Sequence, residues 1–337
     1  MSTYFPYNNT IITGGLGFIG SNLAVKLISN GIPCTLIDSL NPNYGGNFFN
    51  ISSIANSPLL TVNISDIRDH YSLTPLFSNT KSLFNLAGQT SHMDSMSQPL
   101  VDLDINAKAQ LSLLEVCKSS APNINITFAS TRQLYGVPQY LPVDELHPTV
   151  PVDVNGINKL AGEMYHLLYS RVYDIPSSVL RLTNTYGPRM RIKDSRQTFL
   201  GIWIKSILTH SQFEVWGGDQ LRDYTYVDDC VDALIATNTS PHASNQIFNL
   251  GGFDQPITLL ETAEILVQAA SEVGIPLPSR PFILKDFPAD RKKIDIGDYY
   301  SSSEKIKSTL NWQPRVSLLD GFKTTLLFYR ENLDHYI

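Results

Sequence analysis

Cysteine is scarce in this chain. Its three residues, Cys34, Cys117 and Cys230, stand far apart, with no C-x-x-C pair and no spacing that would gather metal ligands. No metal site is expected, and Cys34 and Cys117, set in apolar runs, read as small core residues. No run of about 18 apolar residues offers a membrane span. The opening MSTYFPYNNT lacks the basic segment and apolar core of a secretory leader. Basic clusters are missing too: 25 Lys and Arg stand against 31 Asp and Glu, a net charge of −6, so nothing is available to neutralise a phosphate backbone. These absences predict a cytoplasmic, reduced chain that binds neither nucleic acid nor membrane. A pocket for one or two phosphates is still open to it, because that needs only local charge.

The 337 residues, 42% apolar and 17% charged, are enough for two lobes with an ordinary globular balance. Short β-rich runs at 10–13, 34–38, 59–63, 82–87, 125–130 and 177–182 alternate with helical patterns near 18–30, 66–78, 97–119 and 155–172. Continuous apolar runs of strand length suit strands covered on both faces. In 155–172, Leu160, Met164, Leu167 and Leu168 fall on one helical face. The alternation predicts an α/β fold with a doubly wound, mostly parallel, Rossmann-type sheet. Residues 1–183 form its dinucleotide-binding part, with 225–251 returning to it through a strand at 246–251. Residues 184–337 read as a smaller, interleaved lobe, with helices near 197–210, 258–273 and 317–332 and a hairpin around VWGGDQ.

In IITGGLGFIGSNLAVKLISNG, Gly14, Gly17 and Gly20 lie between a strand and a helix. The first permits a tight turn, the second lets a pyrophosphate approach the backbone, and the third allows close helix–strand packing. Asp38 ends the next strand, where a carboxylate accepts hydrogen bonds from an adenosine ribose diol and disfavours a 2′-phosphate. NAD is the expected cofactor, ahead of NADP.

The G-x-x-G-x-x-G spacing resembles that of the short-chain dehydrogenase/reductases. The length and later motifs are similar to the extended branch, the nucleotide-sugar epimerases, dehydratases and decarboxylases, over nearly the whole chain. The resemblance implies a cofactor set of Phe18 and Ile19 beside the glycines, Asp66 and Ile67 in SDIRD, Leu86, Ala87 and Gly88 in NLAGQTSHMDS, Asn106, and Lys159. It also implies a homodimer through the helices near 97–119 and 155–172.

On the substrate side, LRLTNTYGPRM and VWGGDQLRDYTYVDD are similar to family segments in which an asparagine and an arginine, here Asn184 and Arg222, bind a nucleotide-sugar diphosphate. Guanidinium groups suit that work because they meet phosphate oxygens bidentately. Arg189, Arg191 and Arg196 add local charge, Arg291 is a further candidate, and Trp216 can stack on the base. Of Tyr224 and Tyr226, strand alternation turns one toward the core.

In the resembled enzymes a Ser/Thr, a Tyr and a Lys surround the nicotinamide. Ser130, Thr131 and Lys159 fit, but four residues before Lys159 stands Asn155, in DVNGINK. An amide orients a hydroxyl but cannot ionise. Three replacements for the missing phenol stand open: Lys159 with its proton affinity lowered by burial, His92 in SHMDS, or another phenol such as Tyr135 or Tyr165. SHMDS is similar to a loop of the dTDP-glucose 4,6-dehydratases, yet the acidic pair those enzymes carry after Ser-Thr is here Arg132-Gln133. Simple dehydration is therefore disfavoured. The expected reaction is NAD-dependent epimerisation of a nucleotide-diphosphate sugar through a keto intermediate. Decarboxylation, with Arg132 holding a carboxylate, dehydration by altered groups, and an inactive NAD- and sugar-binding protein are the alternatives.

Overall fold

The computed structural model describes residues 9–41, 43–196, 198–252, 255–288 and 294–337. Its strands are β1 (Thr10–Thr13), β2 (Cys34–Asp38), β3 (Leu60–Ile64), β4 (Ser82–Asn85), β5 (Asn125–Thr131), β6 (Ser177–Leu182), β7 (Asn184–Tyr186), β8 (Phe213–Trp216), β9 (Leu221–Arg222), β10 (Tyr224–Tyr226), β11 (Gln246–Leu250), β12 (Ile257–Thr258) and β13 (Phe282–Lys285). The helices are α1 (Phe18–Ser29), α2 (His70–Leu73), α3 (His92–Ser97), α4 (Pro99–Leu103), α5 (Ala109–Ser120), α6 (Val154–Val172), α7 (Phe199–Leu208), α8 (Val227–Thr239), α9 (Leu259–Glu272), α10 (Glu304–Leu310) and α11 (Leu318–Asn332).

Seven strands form one parallel sheet in the order β11-β6-β5-β4-β1-β2-β3. The strand order reverses between β1 and β4, and a crevice opens there beyond the strand ends. Every residue of β1 and β4 is buried, because helices cover both faces of the sheet. On one face Leu23 and Leu27 of α1 pack with Val231 and Leu234 of α8; on the other Leu113 and Cys117 of α5 pack with Tyr169 of α6. A separate core unites Trp203 of α7, Phe213 of β8, Leu266 of α9 and Phe322 of α11. All three cysteines are buried.

Several local expectations need correction. The helix expected over 66–78 is only the single turn α2 followed by a 3-10 turn, because Pro75 removes an amide from the ladder. The helix expected over 97–119 starts at Pro99 and passes through a π turn, Asp104–Lys108, before α5. VWGGDQ makes no hairpin: Gly217 (φ +77°) and Gly218 (φ +108°) turn the chain out of β8, which pairs in parallel with β13, while β9 pairs with β12. Tyr224 and Tyr226 are both buried, since helices and β7 enclose β10. The face of α6 that carries Met164 and Leu168 is exposed, with Ile157 and Val172 alongside. Its buried face is polar, and the partners are supplied: Glu163 pairs with Arg181 at 2.7 Å, and His166 bonds the Gly162 carbonyl and stacks on Phe128.

Candidate active site

The crevice at the strand-order reversal is shaped mainly by backbone. Gly14 sits at φ +67°, and a Cβ there would come within 3.1 Å of the Ala87 backbone. A Cβ on Gly20 would lie 2.2 Å from the Gly14 carbonyl oxygen, so α1 and the β1 turn touch only because both residues are glycine. Gly17 is the N-cap of α1 and no side chain caps it, which leaves first-turn amides facing the crevice at the positive end of the helix. Asp38 closes β2; its Oδ2 accepts from the Leu16 amide and its Oδ1 from the Leu40 amide. Burial pushes its carboxyl up, against the pull of those amides and that of Gly17. Each oxygen keeps a lone pair for a further donor.

Phe18, Ile19, Asp66, Ile67, Leu86, Ala87 and Gly88 line the same crevice. Asp66 is clamped by Arg68 at 2.6 and 2.9 Å, and its carboxyl is held low chiefly by that guanidinium. Asn106 is the exception among the expected cofactor residues. It lies on the π turn, outside the crevice wall, and holds Gln89 from behind through both the Gln89 amide and carbonyl.

At the inner end of the crevice stand Ser130, Thr131, Asn155 and Lys159. The buried Ser130 hydroxyl has no partner among the described residues, and Thr131 accepts from the Gln133 amide. Asn155 Nδ2 donates to the Gln89 carbonyl at 2.8 Å and to Asp102 Oδ2 at 3.1 Å. Both partners accept only, so the amide oxygen is the end left for the crevice. Asp102, itself buried, also accepts from Asn106 and Asn158. Lys159 Nζ donates to the Ala129 carbonyl at 3.1 Å, and burial pulls its ammonium down to about 8 although Asp102 and Glu163 pull the other way. Glycines where a Cβ would fill the cradle, an uncapped helix start, a carboxylate at the second strand end and an orphaned Ser130 hydroxyl together fit a dinucleotide.

A second chamber adjoins the first and is built from side chains. Arg132, Asn184, Arg196, Trp216 and Arg222 line it, with Trp203, Phe199, Asp295 and Ile296. Arg222 is anchored by the Leu221 and Gly297 carbonyls and lies 3.4 Å from Asp295. Arg132 donates to Asn184 and stacks over Tyr299 at 5.0 Å, while its buried Nη1 has no partner among the described residues. Burial, and then the neighbouring Arg222 charge, press its guanidinium below the usual arginine range. Trp216 donates to Glu214.

Arg189 does not belong here. It donates to the Asn50 carbonyl and to Asn22, and lies over Phe328, because its left-handed backbone (φ +72°) turns it back against α1 and α11. Arg191 pairs with Asp194 and lines neither chamber. Arg291 lies outside the described residues.

Two of the proposed replacement groups are also removed by position. Tyr135 is buried between Arg181 and Asn249, which bond its hydroxyl, and burial pushes that phenol up to about 12. Tyr165 packs against the core of Leu113 and Tyr169 and lines neither chamber. His92 is different: it borders both chambers, and its Nδ1 lies 2.8 Å from Asp153 Oδ2.

Sequence reasoning missed Asp153, Asp102, Gln89 and Thr198. The one available signal was helical: Asp153 is the N-cap of α6, and its side chain accepts from the Gly156 amide. Among the described residues no group of three or more His, Cys, Asp or Glu side chains is placed to hold a metal ion, and no helix is long and apolar enough to cross a membrane.

The comparisons with known proteins agree with this geometry. The chain is 31% identical to a putative UDP-glucose 4-epimerase of Methanocaldococcus jannaschii, over 96% of this chain and 98% of the relative. It is 29% identical to UDP-glucuronic acid decarboxylase 1 of Xenopus tropicalis, over 96% of this chain and 73% of that protein. The UDP-glucose 4-epimerase of Thermotoga maritima, solved with UDP-glucose, superposes with a TM-score of 0.85 at 28% identity, covering 96% of this chain and 99% of that one. A family model matches residues 10–251, from β1 through β11. With its seven-stranded parallel sheet and its crevice at the strand-order reversal, this chain belongs to the NAD dependent epimerase/dehydratase family.

Proposed function

We propose that the protein is an NAD-dependent epimerase of a nucleotide-diphosphate sugar, working through a transient keto-sugar. The observation that carries this reading is the shared wall between the two chambers. His92, Arg132, Asn184 and Thr198 line both, so a sugar held in the second chamber meets the inner end of the first. When bound, NAD supplies a reversible hydride acceptor. The chain's residues do the rest. Gly14, Gly17, Gly20 and Asp38 hold the adenosine and pyrophosphate, and Lys159 holds the nicotinamide ribose. Arg222, with Asn184, binds the sugar diphosphate through charge-assisted hydrogen bonds, and Trp216 offers a face to the base. Ser130 and Thr131 hydroxyls and the Asn155 amide oxygen orient the reacting hydroxyl. Asn155 stands where the family's general base is expected, and an amide fixed by Gln89 and Asp102 cannot take that role.

A second reading, oxidation of a sugar acid with decarboxylation, is favoured by one feature: the Nη1 of Arg132, unpartnered among the described residues, beside a second guanidinium, a pairing that suits an anionic sugar substituent. The exposed apolar face of α6, with Leu100 and Leu103 of α4, supports a homodimer packed through these helices.

Incubation of the purified protein with UDP-, GDP-, CDP- and dTDP-sugars, followed by NMR, separates the readings. An inverted ring carbon supports epimerisation, and loss of the carboxyl from UDP-glucuronate supports the second reading. Tight binding with no turnover of any sugar would make the protein a binder and sink both.

A further inference from the structure

We infer that His92 exchanges the proton of the reacting sugar hydroxyl, with Asp153 as its positioning residue; this rests on the nucleotide-sugar reading above. A group that works on a sugar held across the two chambers must touch both. Of the four residues that do, Arg132 stays charged, and Asn184 and Thr198 do not ionise near neutrality. Of the four, His92 has the basic ring nitrogen that can accept a hydroxyl proton. Lys159, the other ionisable group at the nicotinamide end, lines only the first chamber and is tied to the Ala129 carbonyl.

The local fold holds His92 for this task. Ser91 caps α3 by accepting from the Asp94 amide, which sets His92 in the first helical turn at the chamber mouth. Its ring faces Asp153, whose side chain has no exposed surface and whose position α6 fixes. Asp153 Oδ1 accepts from the Gly156 amide at 2.7 Å, and Oδ2 accepts from Gln133 at 3.0 Å. Burial works against this carboxylate's charge, but His92 and the two donors outweigh it and hold the carboxyl below its ordinary range. An ionised carboxylate accepts only, so the nitrogen it faces, Nδ1, carries the proton in neutral His92. Nε2 is then the free acceptor, on a side chain that is 40% exposed. The two side chains meet at 2.8 Å in a bent geometry, the kind of contact that straightens when substrate fills a site.

In the oxidative half, the sugar O–H bond gives its proton to His92 Nε2. The C–H bond leaves with its electron pair as hydride to NAD, and the carbonyl forms. Return of the hydride to the opposite face of the carbonyl carbon, and of the proton from His92 Nε2 to the carbonyl oxygen, restores NAD and neutral His92, so no further oxidant is consumed.

The test uses whole protein and the nucleotide-sugar that the wild type turns over. His92→Gln is expected to lose about 100-fold or more in turnover while it still binds that sugar by calorimetry, and added imidazole is expected to restore part of the rate to His92→Ala. Asp153→Asn keeps an acceptor for the Gly156 amide but offers His92 a donor, which moves the ring proton to Nε2. In 15N-histidine NMR the His92 resonances should report protonated Nδ1 in the wild type and protonated Nε2 in Asp153→Asn, with turnover falling alongside. His92→Gln at full rate, or a wild-type His92 protonated on Nε2 when neutral, overturns the assignment and leaves the epimerase reading standing. A wild type that binds sugars but turns none over overturns both.

Discussion

The two chambers are built by opposite means. In the first, backbone does the shaping: Gly14 and Gly20 meet with no room for a Cβ, α1 begins uncapped at Gly17, and the ends of β1, β2 and β4 supply the walls. In the second, side chains do it. His92, Arg132, Asn184, Trp216 and Arg222 come from α3, the turn after β5, β7, β8 and β9, elements brought together only by the fold. A chamber made of backbone suits a constant ligand, because backbone shape changes little with sequence. A chamber made of side chains can be rebuilt one residue at a time, and Arg132 and His92, which faces Asp153, sit at its border with the first.

The sharpest way to break this contrast is Gly20→Val. A Cβ 2.2 Å from the Gly14 oxygen forces α1 off the β1 turn, so NAD binding should disappear in calorimetry and the melting temperature should fall. Unchanged NAD affinity would show that the first chamber is not set by backbone contact. Lys159→Met comes next and concerns stability. The folded ammonium is pulled down to about 8, below its unfolded value, so the unfolded chain holds more protons between about pH 8 and 10.5. The cost of burying the charge is thus complete below pH 8 and disappears as pH rises through that window. After loss of the bond to Ala129, the Met variant should be more stable at pH 7 by about 2 kcal/mol. That gap should close toward pH 10 in thermal melts; a gap independent of pH would refute the burial argument.

Arg222→Ala tests the side-chain chamber. Loss of charge-assisted bonds to a diphosphate should weaken nucleotide-sugar binding about 30-fold, with NAD affinity unchanged. An equal loss for both ligands would mean the chambers are not separable. The smallest effect is expected from Arg189→Ala, which removes bonds to the Asn50 carbonyl and Asn22. It should cost about 1 kcal/mol of stability in denaturant titrations and leave sugar affinity as it was; weakened sugar binding would return Arg189 to the site.

Much of the first chamber was legible beforehand because its information is local. The glycine spacing, the strand before it and Asp38 after it lie within one short stretch of chain, and physical reasons attach to each position. Asn106 was expected among the cofactor residues but lies behind the crevice wall, on a π turn that no periodicity announces, where it holds Gln89. The second chamber was legible in residue type only. Arg189 and Arg222 look alike in sequence, each in an Arg-, Tyr- and Gly-containing segment, yet one secures α1 to α11 and the other borders the chamber. The apolar stripe of α6 was equally readable as a helix face, but not the direction in which it points.

By itself, then, the sequence determined the alternation of strand and helix, the dinucleotide turn, and the fact that no tyrosine precedes Lys159 by one helical turn. Those depend on neighbours in the chain, whose geometry a few bonds dictate. Only the tertiary structure decided that Tyr135 and Tyr165 are out of reach, that Asn155 is locked to Asp102 and Gln89, and that His92 meets Asp153 across 61 positions of chain. Contacts of that kind depend on how separate elements pack, and packing is set by the whole sheet and its covering helices at once.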